Sequence, residues 1–367
     1  MTKFKVELSK PEDDSELRNI LGKISMGKSI SITLRKEPSF FDALSVEGKF
    51  NQVIVGRDVS EGKVVGFGVR SIKNCYVNGE EIDIGYLGGL RLLPEFRGGT
   101  LTFRGYSYFR ELHKDGKAPF YLTTIVDDNE SAKKLLTAQR EGMPNYHDFG
   151  LYTTFVLKVS RNKLKLNKNI SQASLKNLEG TIDFIQGEGK KKQFFPSYVT
   201  ADFMTKGGLL RGLGLEDVFL YSKNGEIEGV MACWNQHSFK QTYIERYGTV
   251  LKLSRQVINF ANQIAGNSPI LPKEGKQLNY SSGALIVVKD DNPQVFDNLV
   301  DAVYNRAQEY QSSIINIGLH SKDPLSEVVK ARSSINFRAR LYVVTWEDNK
   351  LFSSLDNRVP YLELGSL

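Results

Sequence analysis

The sequence predicts a mixed α/β chain of two halves, each a mostly antiparallel sheet flanked by helices. Three observations carry that prediction. Strands joined by tight turn dipeptides fill the middle of the first half, a strand, helix, strand, helix series follows them, and after a basic stretch the same plan recurs. A chain of 367 residues is also past the size at which single cores usually divide.

Phe4, Val6 and Leu8 alternate as one face of a first strand. Asp13 or Asp14 can cap the helix that follows, in which Leu17, Ile20 and Leu21 recur at helical spacing. Residues 35–41, with Pro38 and two adjacent phenylalanines, read as a loop into a short helix through Leu44. Strands are predicted over 52–57, 64–73 and 81–93, with Glu61-Gly62 and Asn78-Gly79 as the connecting antiparallel turns. Pro94 stops the third strand. A helix over 101–114 closes at Asp115-Gly116, and a strand over 120–126 and a helix over 129–139 come next. Such a crossover places a helix amino terminus beside the carboxyl end of a strand, where anionic ligands are commonly held.

The composition turns polar and basic near 161–169, so the expected division is 1–158, a crossover over 159–180, and 181–367. In the second half, 218–221 and 227–234 flank the hairpin dipeptide Asn224-Gly225. A strand over 284–288, an amphipathic helix over 295–309, a strand over 314–319, a helix over 325–330 and a strand over 340–346 complete the order. The duplication lies in element order, not in residue identity.

Hydrophobic residues at 40% and charged residues at 25% exclude a disordered chain. The net charge of +7 and pI near 9.1 suit an anionic partner. The basic residues are scattered, however, apart from Lys190-Lys191-Lys192 and 161–168, which read as solvated surface, so neither nucleic acid nor a membrane is expected as partner. Cys75 and Cys233 have no cysteine or histidine nearby at ligand spacing, so no disulfide framework and no metal site is expected. The amino end lacks the apolar stretch of a signal peptide and no run of about 18 apolar residues occurs, which makes the cytoplasm the expected compartment. Oligomeric state is open.

The most specific stretch runs from Ile84 to Leu101. An apolar strand ends in Leu92-Leu93-Pro94, then Arg97-Gly98-Gly99-Thr100-Leu101-Thr102 opens a helix. Glycines let the backbone approach a ligand, and successive amides at a helix start point at phosphate oxygens. Taken alone, the feature is also an ordinary strand-to-helix turn. In this context it resembles the cofactor loop of the GNAT (N-acetyltransferase) superfamily: a strand, then Arg or Gln, two residues, Gly, one residue, and Gly or Ala at a helix start. The resemblance spans residues 1–158 in element order. Thr100 and Thr102 stand where that signature has its later small residues, which a loop one residue shorter explains, with Gly99 as the close-approach glycine. The second half has no such loop: Asp290 and Asp291 precede its long helix and would repel a diphosphate. It is expected to be a degenerate GNAT-like domain.

The resemblance implies an acyl-CoA-dependent N-acyltransferase with acetyl-CoA as cosubstrate and an amine acceptor that attacks the thioester directly. It implies that Leu92, Leu93 and the Arg97–Thr102 loop hold the cofactor. The segment from Thr123 to Ala132 is similar to the superfamily's second cofactor segment, which makes Asn129 either a contact to the thioester end or a simple helix cap. For the general base, Glu81 and Asp83 are candidates from the strand leading to the loop. The superfamily's tyrosine acid falls at Leu135-Leu136, so Tyr146 or Tyr152 is expected in its place, or catalysis proceeds by positioning alone. Phe40 and Phe41 form either an acceptor wall or core. A ligand-binding module without turnover, and a transferase of longer acyl or aminoacyl groups, are the alternatives.

Overall fold

The structure is a computed structural model and describes residues 3–27, 30–138, 140–264, 271–333, 335–347 and 350–367. The first half holds β1 (Phe4–Leu8), α1 (Asp14–Lys23), β2 (Ile30–Arg35), α2 (Phe40–Ala43), β3 (Phe50–Asp58), β4 (Val64–Val77) and β5 (Glu80–Leu92). It continues with α3 (Leu101–His113), β6 (Tyr121–Val126), α4 (Glu130–Leu136) and β7 (Asn145–Lys158). The second half holds β8 (Ile170–Gln172), α5 (Leu178–Gly189), α6 (Thr200–Met204), β9 (Val218–Lys223), β10 (Glu226–Trp234) and β11 (Gln241–Tyr247). It ends with α7 (Thr249–Ile264), β12 (Tyr280–Val288), α8 (Pro293–Glu309), β13 (Ile314–His320), α9 (Ser326–Arg332), β14 (Ile335–Thr345) and α10 (Lys350–Ser353).

The predicted meander, the crossover helix and the second-half series all form at the expected places, within a few residues at their ends. The helix expected over 129–139 ends at Leu136, and Gln139 lies outside the described residues. Asn78 and Asn224 adopt φ of 54° and 52°, each before a glycine of positive φ, as two-residue hairpin turns require.

The two halves do not build separate sheets. One 12-stranded sheet runs in the order β1-β3-β4-β5-β6-β14-β7-β13-β12-β10-β9-β8. Read from either edge, the order is the same: β1 matches β8, β3 matches β9, β4 matches β10, β5 matches β12, β6 matches β13 and β14 matches β7. The last strand of each half has changed places. β14 lies between β6 and β7 of the first half, and β7 lies against β13 of the second. Each half thus supplies the strand that completes the other. A separate two-stranded sheet, β2 with β11, also joins the halves.

Helix α3 covers one face of the first half and is anchored at its carboxyl end. Arg70, on β4, is 0% exposed. Its two terminal nitrogens donate to Asp115 at 2.8 and 2.7 Å, and its Nε donates to the Tyr121 hydroxyl at 2.9 Å. The turn after α3 is thereby tied to the sheet through a charge that cannot remain buried without its partner.

Two outcomes are expected. Residues 1–158 expressed alone give no cooperative thermal transition, since β6 and β7 lack β14 between them, while co-expression with 159–367 restores it. Asp115→Ala lowers stability in urea unfolding by on the order of 3 kcal/mol, because Arg70 loses its countercharge. The bond to Arg70 holds the Asp115 carboxyl below its ordinary range. Its stabilisation is therefore complete above an unfolded value of about 3.9 and is lost as the pH falls through the lower folded value, so the gap between parent and variant closes in acid.

Candidate active site

Strand β5 pairs with β4 along its length but with β6 only at Gly85↔Tyr121 and Tyr86↔Leu122. Beyond Tyr86 the two parallel strands part. The cause is local: Phe67 of β4 faces Arg91 and Val69 faces Gly88, so Gly89 and Leu90 together oppose Gly68. This bulge needs a residue of positive φ, which Gly89 supplies at 63°. Two hydroxyl contacts hold the base of the fork: Thr123 Oγ1 donates to the Leu87 carbonyl at 2.7 Å, and Tyr86 and Thr124 hydroxyls lie 2.8 Å apart.

Pro94 ends β5 and starts a single helical turn, Pro94–Phe96. Arg97 closes that turn, its N–H donating to the Pro94 carbonyl at 3.2 Å and its Nε to the Leu92 carbonyl at 3.1 Å. Gly98 at φ 82° then turns the chain into α3, and Gly98, Gly99 and Thr100 are exposed. Thr100 makes no side-chain cap. Among the described residues no group accepts from the N–H of Gly98, Gly99, Thr100, Leu101, Thr102 or Phe103. Six free donors at the positive end of a 13-residue helix form an anion cradle. The amide of Arg97, expected among them, is used within the protein instead. Two guanidinium groups add positive charge: Arg97 is exposed, and Arg91 has a buried Nε with no partner and a pKa pushed down by burial and by Arg97.

Beneath α3, beside the bulge, a small pocket of about 40 Å³ is lined largely by apolar groups of Ile54, Phe67, Leu90, Leu92, Leu101 and Phe109. The loop, the bulge and this pocket meet at one end of the fork. Leu92, Leu93 and the Arg97–Thr102 loop are therefore brought together.

The other expected site residues are not. Glu81 sits eight residues before Gly89, about 26 Å along an extended strand, and accepts from the Tyr76 hydroxyl at 3.3 Å. Asp83 is six residues before it, about 20 Å away, and accepts from Asn74 at 3.4 Å. Both lie toward the turn end of the hairpin. Tyr146 hydrogen-bonds the Tyr106 hydroxyl at 2.7 Å on the α3 side, where burial pushes its pKa well above the usual range. Tyr152 donates to the Leu362 carbonyl at 2.8 Å. Asn129 caps α4, accepting from the Ala132 N–H at 3.1 Å, as the simpler reading had it. Phe40 is buried core against Phe67, and Phe41 packs edge-on against Phe40.

The second half repeats the fork but fills it. β12 and β13 pair only at Tyr280↔Ile314 to Ser282↔Asn316, and a matching bulge places Leu285 at φ 50°. Its amides are taken by the chain's own last segment: Leu285 N–H donates to Glu363 at 3.0 Å and Ile286 N–H to the Tyr361 hydroxyl at 3.2 Å. At the start of α8, Asn292 caps Gln294 and Val295, while Asp291 is bound by the buried Lys192, which also binds Asp323. Among the described residues, Asn292 thus takes up the first donors of α8. Tyr361 and Glu363 escape a sequence reading because nothing in the 359–367 segment carries a motif; only folding brings it into the second fork.

No protein-family model and no curated protein matches the sequence. Solved structures do match. A GCN5-related glucosamine N-acetyltransferase region of a fungal multi-domain beta-N-acetylglucosaminidase is similar over 94% of this chain at 14% identity and TM-score 0.62. This chain spans 38% of that protein's length. Saccharomyces cerevisiae N-myristoyltransferase with bound myristoyl-CoA is similar over 99% of this chain and 86% of its own at 8% identity and TM-score 0.62. A probable N-acyltransferase of unknown function from Enterococcus faecalis is similar over 96% of this chain and 74% of its own, at 10% identity and TM-score 0.51. The fold is the GNAT fold in tandem arrangement, with the second unit closed at its fork.

Arg97→Glu is expected to weaken CoA binding tenfold or more, about 1.4 kcal/mol, with an unchanged unfolding transition. Calorimetric titration with CoA checks the first, and thermal melting the second.

Proposed function

We propose that this protein is an acyl-CoA-dependent N-acyltransferase that moves an acetyl group from acetyl-CoA to an amine by direct attack. The observation that carries the reading is the row of six free amides from Gly98 to Phe103 beside a strand that has lost its neighbour. In this reading the cradle and Arg97 bind the diphosphate, and the unpaired edge of β5 through Leu92 and Leu93 takes the pantetheine arm as an added strand would be taken. The thioester then lies at the Gly89 bulge, where backbone donors can stabilise its carbonyl oxygen as charge develops. The similar structures, of an acetyltransferase region, a myristoyltransferase and a probable acyltransferase, support the class. Among the described residues no helix is long and apolar enough to cross a membrane. The two buried free cysteines fit the reducing cytoplasm.

The apolar pocket under α3 favours a second reading, transfer of a longer acyl chain, since its lining of Ile54, Phe67, Leu90, Leu101 and Phe109 beside the bulge suits an alkyl chain. One experiment separates them. Calorimetry with acetyl-, octanoyl- and myristoyl-CoA is expected to give equal affinities within threefold if acetyl is the donor, and affinity rising tenfold or more with chain length if the pocket takes the chain. Absence of binding to every one of them, and of CoA thiol release with a panel of primary amines, would end the reading.

A further inference from the structure

Past the bulge, the side chains of β5 alternate between the two faces of the sheet. Leu90 and Leu92 line the pocket beneath α3, whereas Arg91 turns to the face that α1 covers, where its Nη2 meets the Met26 sulfur at 3.0 Å just beyond the end of α1. Gly89 belongs to this face too. A Cβ there would meet Val69 at 3.0 Å and Phe67 at 3.5 Å, and both of those side chains pack with α1. Gly89 and Leu90 are exposed, so the backbone of the bulge is open to solvent where β6 has left it. Arg91 thus flanks the open bulge on the α1 face, two residues or roughly 7 Å along the strand.

Among the described residues no carboxylate pairs with this arginine. Its Nη1 donates to the Leu90 carbonyl at 2.9 Å, the Met26 thioether is a weak acceptor, and its Nε is buried with no partner. Burial pushes its pKa down and the like charge of Arg97 pushes it further, yet a guanidinium does not give up its proton, so the position is short of an anion. Arg70, on β4, shows the satisfied case: its guanidinium is held by Asp115 and Tyr121. The cofactor does not supply the missing charge. With the thioester at Gly89, the pantetheine past Leu92 and Leu93 and the diphosphate from Gly98 on, the stretch of CoA alongside Arg91 is uncharged.

Resting on the acyltransferase reading above, we propose that Arg91 is a specificity-determining residue that binds a carboxylate on the acceptor. The acceptor class is then a primary amine carrying a carboxylate a few bonds away, as an amino acid does. The planar guanidinium presents parallel N–H donors that match a carboxylate edge. Holding the carboxylate there keeps the amine beside the bulge, one strand repeat away, where the thioester lies. A neutral acceptor leaves Arg91 as unpaired as it stands in the free protein, and that difference is the discrimination.

The test measures CoA thiol release from acetyl-CoA with glycine, β-alanine and lysine, the amide of each, glucosamine and phosphoethanolamine, compared at equal concentrations of unprotonated amine. The parent protein is expected to acylate one of the acids with a kcat/KM at least tenfold above that of its amide. In Arg91→Gln the KM for that acid is expected to rise tenfold or more, while the KM for acetyl-CoA and the kcat/KM for the amide stay within twofold of the parent. A parent that does not distinguish acid from amide, or that prefers glucosamine or phosphoethanolamine, overturns the proposal and leaves the acyltransferase reading intact. So does a variant that keeps the parent's preference, or one that raises the KM for acetyl-CoA alone and so places Arg91 on the cofactor. A parent that releases no thiol with any of these amines overturns both. Should Arg91→Gln fail to fold, Arg91→Lys serves: an ammonium cannot hold a carboxylate by two parallel bonds, so the preference for the acid is expected to fall at least threefold, and an unchanged preference overturns the proposal.

Discussion

The structure turns on a pairing that stops. β5 and β6 share hydrogen bonds for two residues and then diverge, because the Gly89 bulge bends β5 away while Thr123 and Tyr86 hold the base of the fork. A sheet interrupted in its middle would be an unsatisfied edge unless something else used those backbone groups. The gap therefore leaves backbone groups open by the same physics that makes it a weakness, and everything proposed for function lies within a few residues of it.

Gene-like duplication of the plan makes the contrast informative. Both halves possess the fork and the bulge, yet in the second half the carboxylate of Glu363 and the hydroxyl of Tyr361 occupy the bulge amides, and Asn292 caps the helix. In the first half neither substitute stands among the described residues, and α3 begins there with bare N–H groups. The exchange of β7 and β14 locks the two forks back to back, so the segment that closes one also forms a wall of the other.

Much of this was legible beforehand. The alternation in the meander, the asparagine-glycine turns and the helix after Gly99 follow from local rules, and those elements stand where the sequence placed them. The strand-to-helix turn at Arg97 was readable because its residues are contiguous. What escaped depends on contacts between distant residues: β14 entering the first half, β2 pairing with β11, and Glu363 reaching Leu285 across 78 positions. Glu81 and Asp83 suit a base by type and strand, but the length of β5 carries them toward its turn end, away from the Gly89 bulge. Tyr146 likewise stands on the α3 side, with its hydroxyl engaged by Tyr106.

The central claim is that the free amides at the start of α3, and not those of α8, form the diphosphate site. Backbone amide NMR of the labelled protein during titration with CoA tests it directly. The account predicts large saturable shifts at Gly98, Gly99, Thr100, Leu101, Thr102 and Phe103, with Gln294 and Val295 unmoved. Shifts at Gln294 and Val295, or none at Gly98 to Phe103 while CoA binds, would contradict it.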